Sequence, residues 1–166
     1  ECIGKAARLQ VKHFKYEDAI KSLNQEIKYW LEAENYTYIK KVSMGVILLH
    51  LTGEDYVAAD HFFRICLNYP EFGTSEEAGV LEDLLRAYDD GDDDAGQMVL
   101  SKPIFKYIDN VFARLARDLK FPGGITTSHS TATTSSYSHE LDDEDKEETL
   151  KESDLLDEDE IPSELC

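Results

Sequence analysis

The chain has 166 residues, 42% of them hydrophobic, and a formal net charge of −18; that length and apolar content suit one domain with a real core and leave no room for two full ones. The acidity is uneven: residues 122–166 hold 14 acids against 2 lysines, residues 53–121 hold 15 acids against 7 bases, and residues 1–52 are mildly basic, with 8 bases to 6 acids. Such a balance argues against nucleic acid and anionic membrane as partners of the bulk surface, and for a basic protein partner.

In chain order, "IGKAARLQVK" (Ile3 to Lys12) and "KYEDAIKSLNQEIKYWLEAE" (from Lys15) carry apolar residues at helical spacing, the second with Ala19, Ile20, Leu23, Ile27, Trp30 and Leu31 along one stripe. They predict two helices with a short joint. A second pair is expected from Tyr36 to Leu51 and from Asp55 to Asn68, parted by "LTGED", where Gly53 can supply a C-cap. After Pro70 and Gly73, a helix from Ser75 to Tyr88 presents Leu81, Leu84, Leu85 and Tyr88. Beyond "DDGDDD" a short helix reaches Leu100, and Pro103 opens a last helix whose stripe is Ile104, Ile108, Val111, Leu115 and Leu119. "FPGG" (Phe121 to Gly124) closes the fold.

No stretch alternates with period two, so residues 1–121 are expected to be all-α, with at least six helices in consecutive antiparallel pairs. Trp30, Leu49, Phe63, Leu85, Ile108 and Leu115 are expected to face inward. "KYEDA" (Lys15 to Ala19) is echoed by "DYVAA" (Asp55 to Ala59) 40 residues later, a period near those of helix–turn–helix solenoids. Residues 122–166 read as a disordered tail: ten of the thirteen residues 126–138 are Ser or Thr, and an acidic run follows to Glu160. Leu155, Leu156 and Leu165 are isolated apolar residues within it.

The search for chemistry returns little. Cys2, Cys66 and Cys166 have no metal spacing and read as reduced thiols of a cytosolic protein. No signal-peptide pattern is visible, and the apolar run Val46 to Leu49 is far short of a membrane span. The chain opens at Glu1 inside a helical pattern, with neither Met nor cap, as a fragment does. His13, His50, His61, His129 and His139 show no ligand spacing, and no glycine-rich phosphate loop is present. "DDGDDDAGQM" (Asp89 to Met98) has the acid density of a calcium loop but lacks a glutamate at its twelfth position. No metal, cofactor or enzymatic activity is expected. Two charged surfaces stand out instead. Lys5, Arg8 and Lys12 share one helical face, with Lys40 and Lys41 on the next pair, a basic strip suited to an elongated acidic partner. Asp89, Asp90 and Asp92 to Asp94 form an acidic corner.

The runs "ENYTYIKK", "DYVAAD", "YPEFGTSEE", "LEDLLRAYDDGDDD", "PIFKYIDN" and "FPGG" resemble the C-terminal half of the soluble NSF attachment protein (SNAP) family, with "FKYIDN" favouring its gamma branch. The resemblance spans residues 1–124 and is strongest over 34–124. It implies TPR-like hairpins ending in a compact helical bundle. It also implies an adaptor that binds the syntaxin-type SNARE four-helix bundle laterally and recruits the ATPase NSF to disassemble it. Carried over from the alpha branch, the NSF-contacting acids fall on Glu54, Asp89 and Asp90, and a penultimate leucine that stimulates ATP hydrolysis falls on Leu165. A further acidic position of that branch is Arg86 here, and the tail before Leu165 is much longer, which loosens its tether. On the same resemblance Lys5, Arg8, Lys12, Lys40 and Lys41 would face the SNARE bundle. Peripheral membrane association, at the cytoplasmic surface, would run through N-terminal hairpins that have no counterpart in these residues. The alternative expectation is a general TPR-like scaffold that binds short peptides, with the tail as a regulated spacer.

Overall fold

The computed structural model describes residues 2–123. The tail expected over 122–166, with Leu155, Leu156, Leu165 and Cys166, lies outside the described residues apart from Pro122 and Gly123. Seven α-helices follow in order: α1 (Cys2–Lys12), α2 (Tyr16–Glu32), α3 (Tyr36–Thr52), α4 (Tyr56–Cys66), α5 (Glu76–Asp90), α6 (Asp93–Leu100) and α7 (Asn110–Asp118), with one 3-10 turn at Pro103–Lys106. Among the described residues there is no strand. Successive helices from α1 to α6 pack as neighbours, the arrangement of a TPR-like array of hairpins.

The repeat is finer than the 40-residue echo. Helices α2, α3, α4 and α5 begin at residues 16, 36, 56 and 76, a period of 20, and the first three begin with tyrosine. The turns before them share one geometry. Phe14, Glu34 and Glu54 are left-handed, at φ of 59°, 54° and 59°. The next amide in each turn reaches back five residues: Lys15 N to Gln10 O, Asn35 N to Trp30 O and Asp55 N to His50 O, each at 2.9 Å. This is the Schellman closure, which satisfies carbonyls left over at a helix C-terminus. Gly53 is the C-cap residue of α3, but its φ is −81°, and the left-handed position falls one residue later on Glu54. Asn35 and Asp55 then cap the following helices, accepting from Tyr38 N and Ala58 N.

Helix α3 is the hub. Every residue from Val42 to Leu49 is buried, and the helix packs against α2, α4, α5 and α7. A helix apolar all round has no solvent face to offer, so neighbours must cover it on every side. Helix α7 provides one cover by folding back: the ring of Phe112 lies so close that a Cβ at Gly45 would stand 2.8 Å from it.

The C-terminal segment departs from the expected pattern. Pro103–Lys106 is a single 3-10 turn, the chain bends at Tyr107, and Asp109 restarts the helix by accepting from Val111 N at 3.1 Å. The break shifts the phase by about one residue. Phe105, Ile108, Phe112, Ala116 and Leu119 are buried, while Ile104, Val111 and Leu115 are half-buried at the margin. Of the expected core, Leu49, Phe63, Leu85 and Ile108 are buried. Trp30 is half-buried, stacked on Tyr38 at 4.6 Å and donating to Glu26. One core oddity is Ser43, whose buried hydroxyl finds no nitrogen or oxygen partner. It neighbours the Cys66 thiol, whose pKa burial pushes up to about 11, with the Ser43 hydroxyl acting in the opposite sense.

Candidate functional site

The acidic corner is built where two helix ends meet. Tyr88, near the end of α5, donates its hydroxyl to Leu51 O at 3.1 Å and stacks on Tyr56, the first residue of α4, with centroids 6.2 Å apart and planes 7° from parallel. This locks the end of α5 to the α3–α4 turn. The clamp brings the three carried-over acids together. Burial raises the pKa of Tyr88, and Glu54 raises it further. Burial likewise raises the pKa of Tyr56, with Asp89, Asp60 and Asp90 adding to the rise and Arg64 opposing it. Glu54 lies in the turn that Tyr88 grips, and Asp89 and Asp90 directly follow Tyr88, so the bond to Leu51 O and the stack on Tyr56 join the two segments that carry these three exposed acids.

The six-residue run "DDGDDD" divides into two roles. Asp92 caps α6 by accepting from Ala95 N at 2.9 Å, and Asp93 and Asp94 sit in its first turn, where a negative charge suits the helix dipole. Asp89 and Asp90 instead occupy the last turn of α5, whose dipole end is itself negative. Local structure therefore accounts for Asp92 to Asp94 and works against Asp89 and Asp90. Gly91 between them is left-handed at φ 66°, and a Cβ there would collide with the Pro122 carbonyl. Phe121 packs on Tyr88, with ring centroids 5.7 Å apart, so the described chain ends beside the acidic corner. Arg86 is exposed on α5 and pairs with Glu82 at 3.7 Å.

The basic residues fare differently. Lys5 and Lys12 are exposed on α1. Arg8 between them is turned inward: it pairs with Glu26 at 2.7 Å and Asp109 at 3.0 Å, donates to Gly4 O at 2.8 Å, and lies 5.6 Å from the ring centroid of Phe112. Burial alone would depress its pKa, but the bonds to Glu26 and Asp109 outweigh it and raise the pKa. Lys40 is nearly covered and points to Glu71 at 3.7 Å, whereas Lys41 is exposed beside Glu76, Glu77 and Tyr107. Helices α2 and α7 each touch both α1 and α3. Of the residues expected in the strip, Lys5, Lys12 and Lys41 are each exposed, and Arg8 is engaged inside the fold.

Among the described residues no group of three or more His, Cys, Asp or Glu side chains stands in metal-binding geometry. Nor is any helix there long and apolar enough to cross a membrane. The fold is a TPR-like array of helical hairpins, and Glu54, Asp89 and Asp90 are exposed on it. Over 109 residues the chain is 29% identical to the gamma-soluble NSF attachment protein of Dictyostelium discoideum, a match covering 66% of this chain and 34% of that relative. The chain is gamma-SNAP-like over that stretch and spans about a third of the curated relative's length. No protein-family model matches it.

Proposed function

We propose that this chain is the C-terminal part of a non-enzymatic trafficking adaptor that binds SNARE complexes and recruits NSF to them from the cytoplasmic side of membranes, where it associates peripherally. The observation that carries the reading is the Tyr88 clamp, which joins the turn bearing Glu54 to the helix end bearing Asp89 and Asp90, all three exposed and two of them held against a helix dipole. Similarity to a protein named for attachment to NSF supports it. Under this reading the corner meets a basic surface of NSF by long-range attraction, which sets encounter rate and orientation. Lys5, Lys12 and Lys41 contribute to SNARE contact directly. Arg8 and Lys40 hold the helices that carry them. Leu165 supplies an apolar contact from the tail that shifts NSF toward its active state, so Leu165→Ala lowers stimulated ATP turnover while leaving NSF binding nearly unchanged.

The test is recruitment of NSF to an immobilised SNARE complex by this chain. Recruitment that is lost as salt rises supports the adaptor reading. A chain that binds neither the SNARE complex nor NSF at low salt refutes it and leaves the peptide scaffold.

A further inference from the structure

A groove of about 370 Å³ runs between α5 and α6 beside the acidic corner. Its floor is apolar, formed by Ala87, Ala95 and Val99, and Met98 stands at its edge 73% exposed. Asp83, Asp90 and Asp92 line the same groove. The two cations there are already engaged, Lys102 with Asp83 at 3.0 Å and Arg86 with Glu82 at 3.7 Å. Among the described residues no cation pairs with Asp90 or Asp92. Met98 also breaks the pattern of its helix, which buries Gly96, Val99 and Leu100 and leaves this one large apolar side chain in water.

We propose that the α5–α6 groove receives an apolar side chain carried on a basic segment of the partner, with Met98 packing over it. The proposal rests on the reading of the corner as the surface for a basic partner, and it supplies what the corner lacks. Attraction between exposed charges is screened within about 10 Å at 0.1 M salt, so it steers an encounter without holding the complex together. Residence depends on desolvated apolar contact at the centre of an interface. A methionine suits that role, because its unbranched thioether repacks around differently shaped side chains. The carboxylates of Asp90 and Asp92 at the rim, neither paired with a cation among the described residues and the second also capping α6, favour a basic occupant and repel acidic peptides or nucleic acid.

The test measures NSF binding to the full chain at low and at high salt for the wild type, Met98→Ser, Met98→Leu and Asp90→Asn, with helical content checked by circular dichroism. Met98→Ser is expected to weaken binding roughly tenfold at both salt levels, as loss of an apolar contact should. Met98→Leu is expected to bind as the wild type does, and Asp90→Asn to weaken binding at low salt alone. Wild-type affinity in Met98→Ser with Asp90→Asn still weakened overturns the groove and leaves the corner standing. Wild-type affinity in both overturns the groove and the corner together. Self-association of the chain that Met98→Ser abolishes, with NSF affinity unchanged, would assign the groove to a second copy and also overturn the proposal.

Discussion

Arg8 Nε donates to Asp109 Oδ2 at 3.0 Å, joining residues 101 positions apart and tying α1 to the residue that caps α7. The same guanidinium holds Glu26 of α2 at 2.7 Å. One side chain thus fastens the first two helices to the last, and the hairpin array is closed by its C-terminal segment.

Arg8→Ala should therefore cost stability that no other cation of α1 can match. It leaves Glu26, whose side chain is only 13% exposed, without its cation and with Trp30 as a remaining donor, and uncovers one face of Phe112. Hydrogen bonds to charged groups are worth about 1.5–3 kcal/mol each, and partial exposure of Asp109 reduces the sum, so a loss of roughly 2 kcal/mol is expected. Lys5→Ala and Lys12→Ala, at exposed positions, should stay within about 0.5 kcal/mol of the wild type. Urea denaturation of the three variants checks this; an Arg8→Ala midpoint equal to that of Lys12→Ala would contradict it.

Asp89 and Asp90 should be replaceable with a gain in stability. They face the negative end of the α5 dipole, so Asp89→Asn or Asp90→Asn should stabilise the fold by about 0.3–1 kcal/mol at low ionic strength. The corresponding change Asp92→Ala should destabilise by about 1 kcal/mol, since it removes the cap on Ala95 N. Thermal unfolding of the three variants reads the contrast in sign. Destabilisation by all three would mean that Asp89 and Asp90 also have a structural role.

Ser43 and Cys66 make a paired prediction in the core. Ser43→Ala deletes a buried hydroxyl with no nitrogen or oxygen partner and only the Cys66 sulfur beside it, and should raise stability by up to about 1 kcal/mol. The Cys66 thiol, pushed up to about 11 chiefly by burial, should resist alkylation in the native chain at neutral pH and react once urea unfolds it. Peptide mass mapping resolves Cys66 from exposed Cys2. Labelling of Cys66 as fast as Cys2 under native conditions would refute its placement.

His50 gives the fold a pH dependence with a definite sign. Burial lowers its pKa below the ordinary 6.5, with Asp55 opposing. The unfolded chain then binds the proton more readily, so stability is fully present above about pH 6.5 and is lost as pH falls through the lower folded value. His50→Gln should show a smaller drop in stability between pH 7.5 and pH 5.5 than the wild type. Equal drops would place the imidazole in water.

Much of the fold was legible because apolar periodicity reports burial directly: Ala19, Leu23 and Ile27 mark α2 as clearly in the sequence as in the structure. The last helix is not, because its apolar stripe runs on through Tyr107 in the sequence, and only the Asp109 cap reveals that the chain restarts there. The 20-residue period was half visible. Tyr16, Tyr36 and Tyr56 carry it, but the turns place Phe or Glu in left-handed geometry where Gly is the usual signal, so nothing marks them as equivalent. The acidic corner could be read from charge density and from the family resemblance. The capture of Arg8 could not, since its partner Asp109 lies far along the chain and spacing on α1 shows a uniform basic face. Met98 carried a faint signal, one large apolar residue beside a run of acids.

The measurement that bears most directly on the account is NSF affinity as a function of salt for the wild-type chain and for the double variant Asp89→Lys/Asp90→Lys. Both carboxylates are exposed, so the variant should fold as the wild type does. If the corner steers a basic partner, the variant should bind many-fold more weakly at low salt, with the difference shrinking as screening grows. Equal affinities at low ionic strength, in a variant shown to be folded, would contradict the assignment of this corner to NSF.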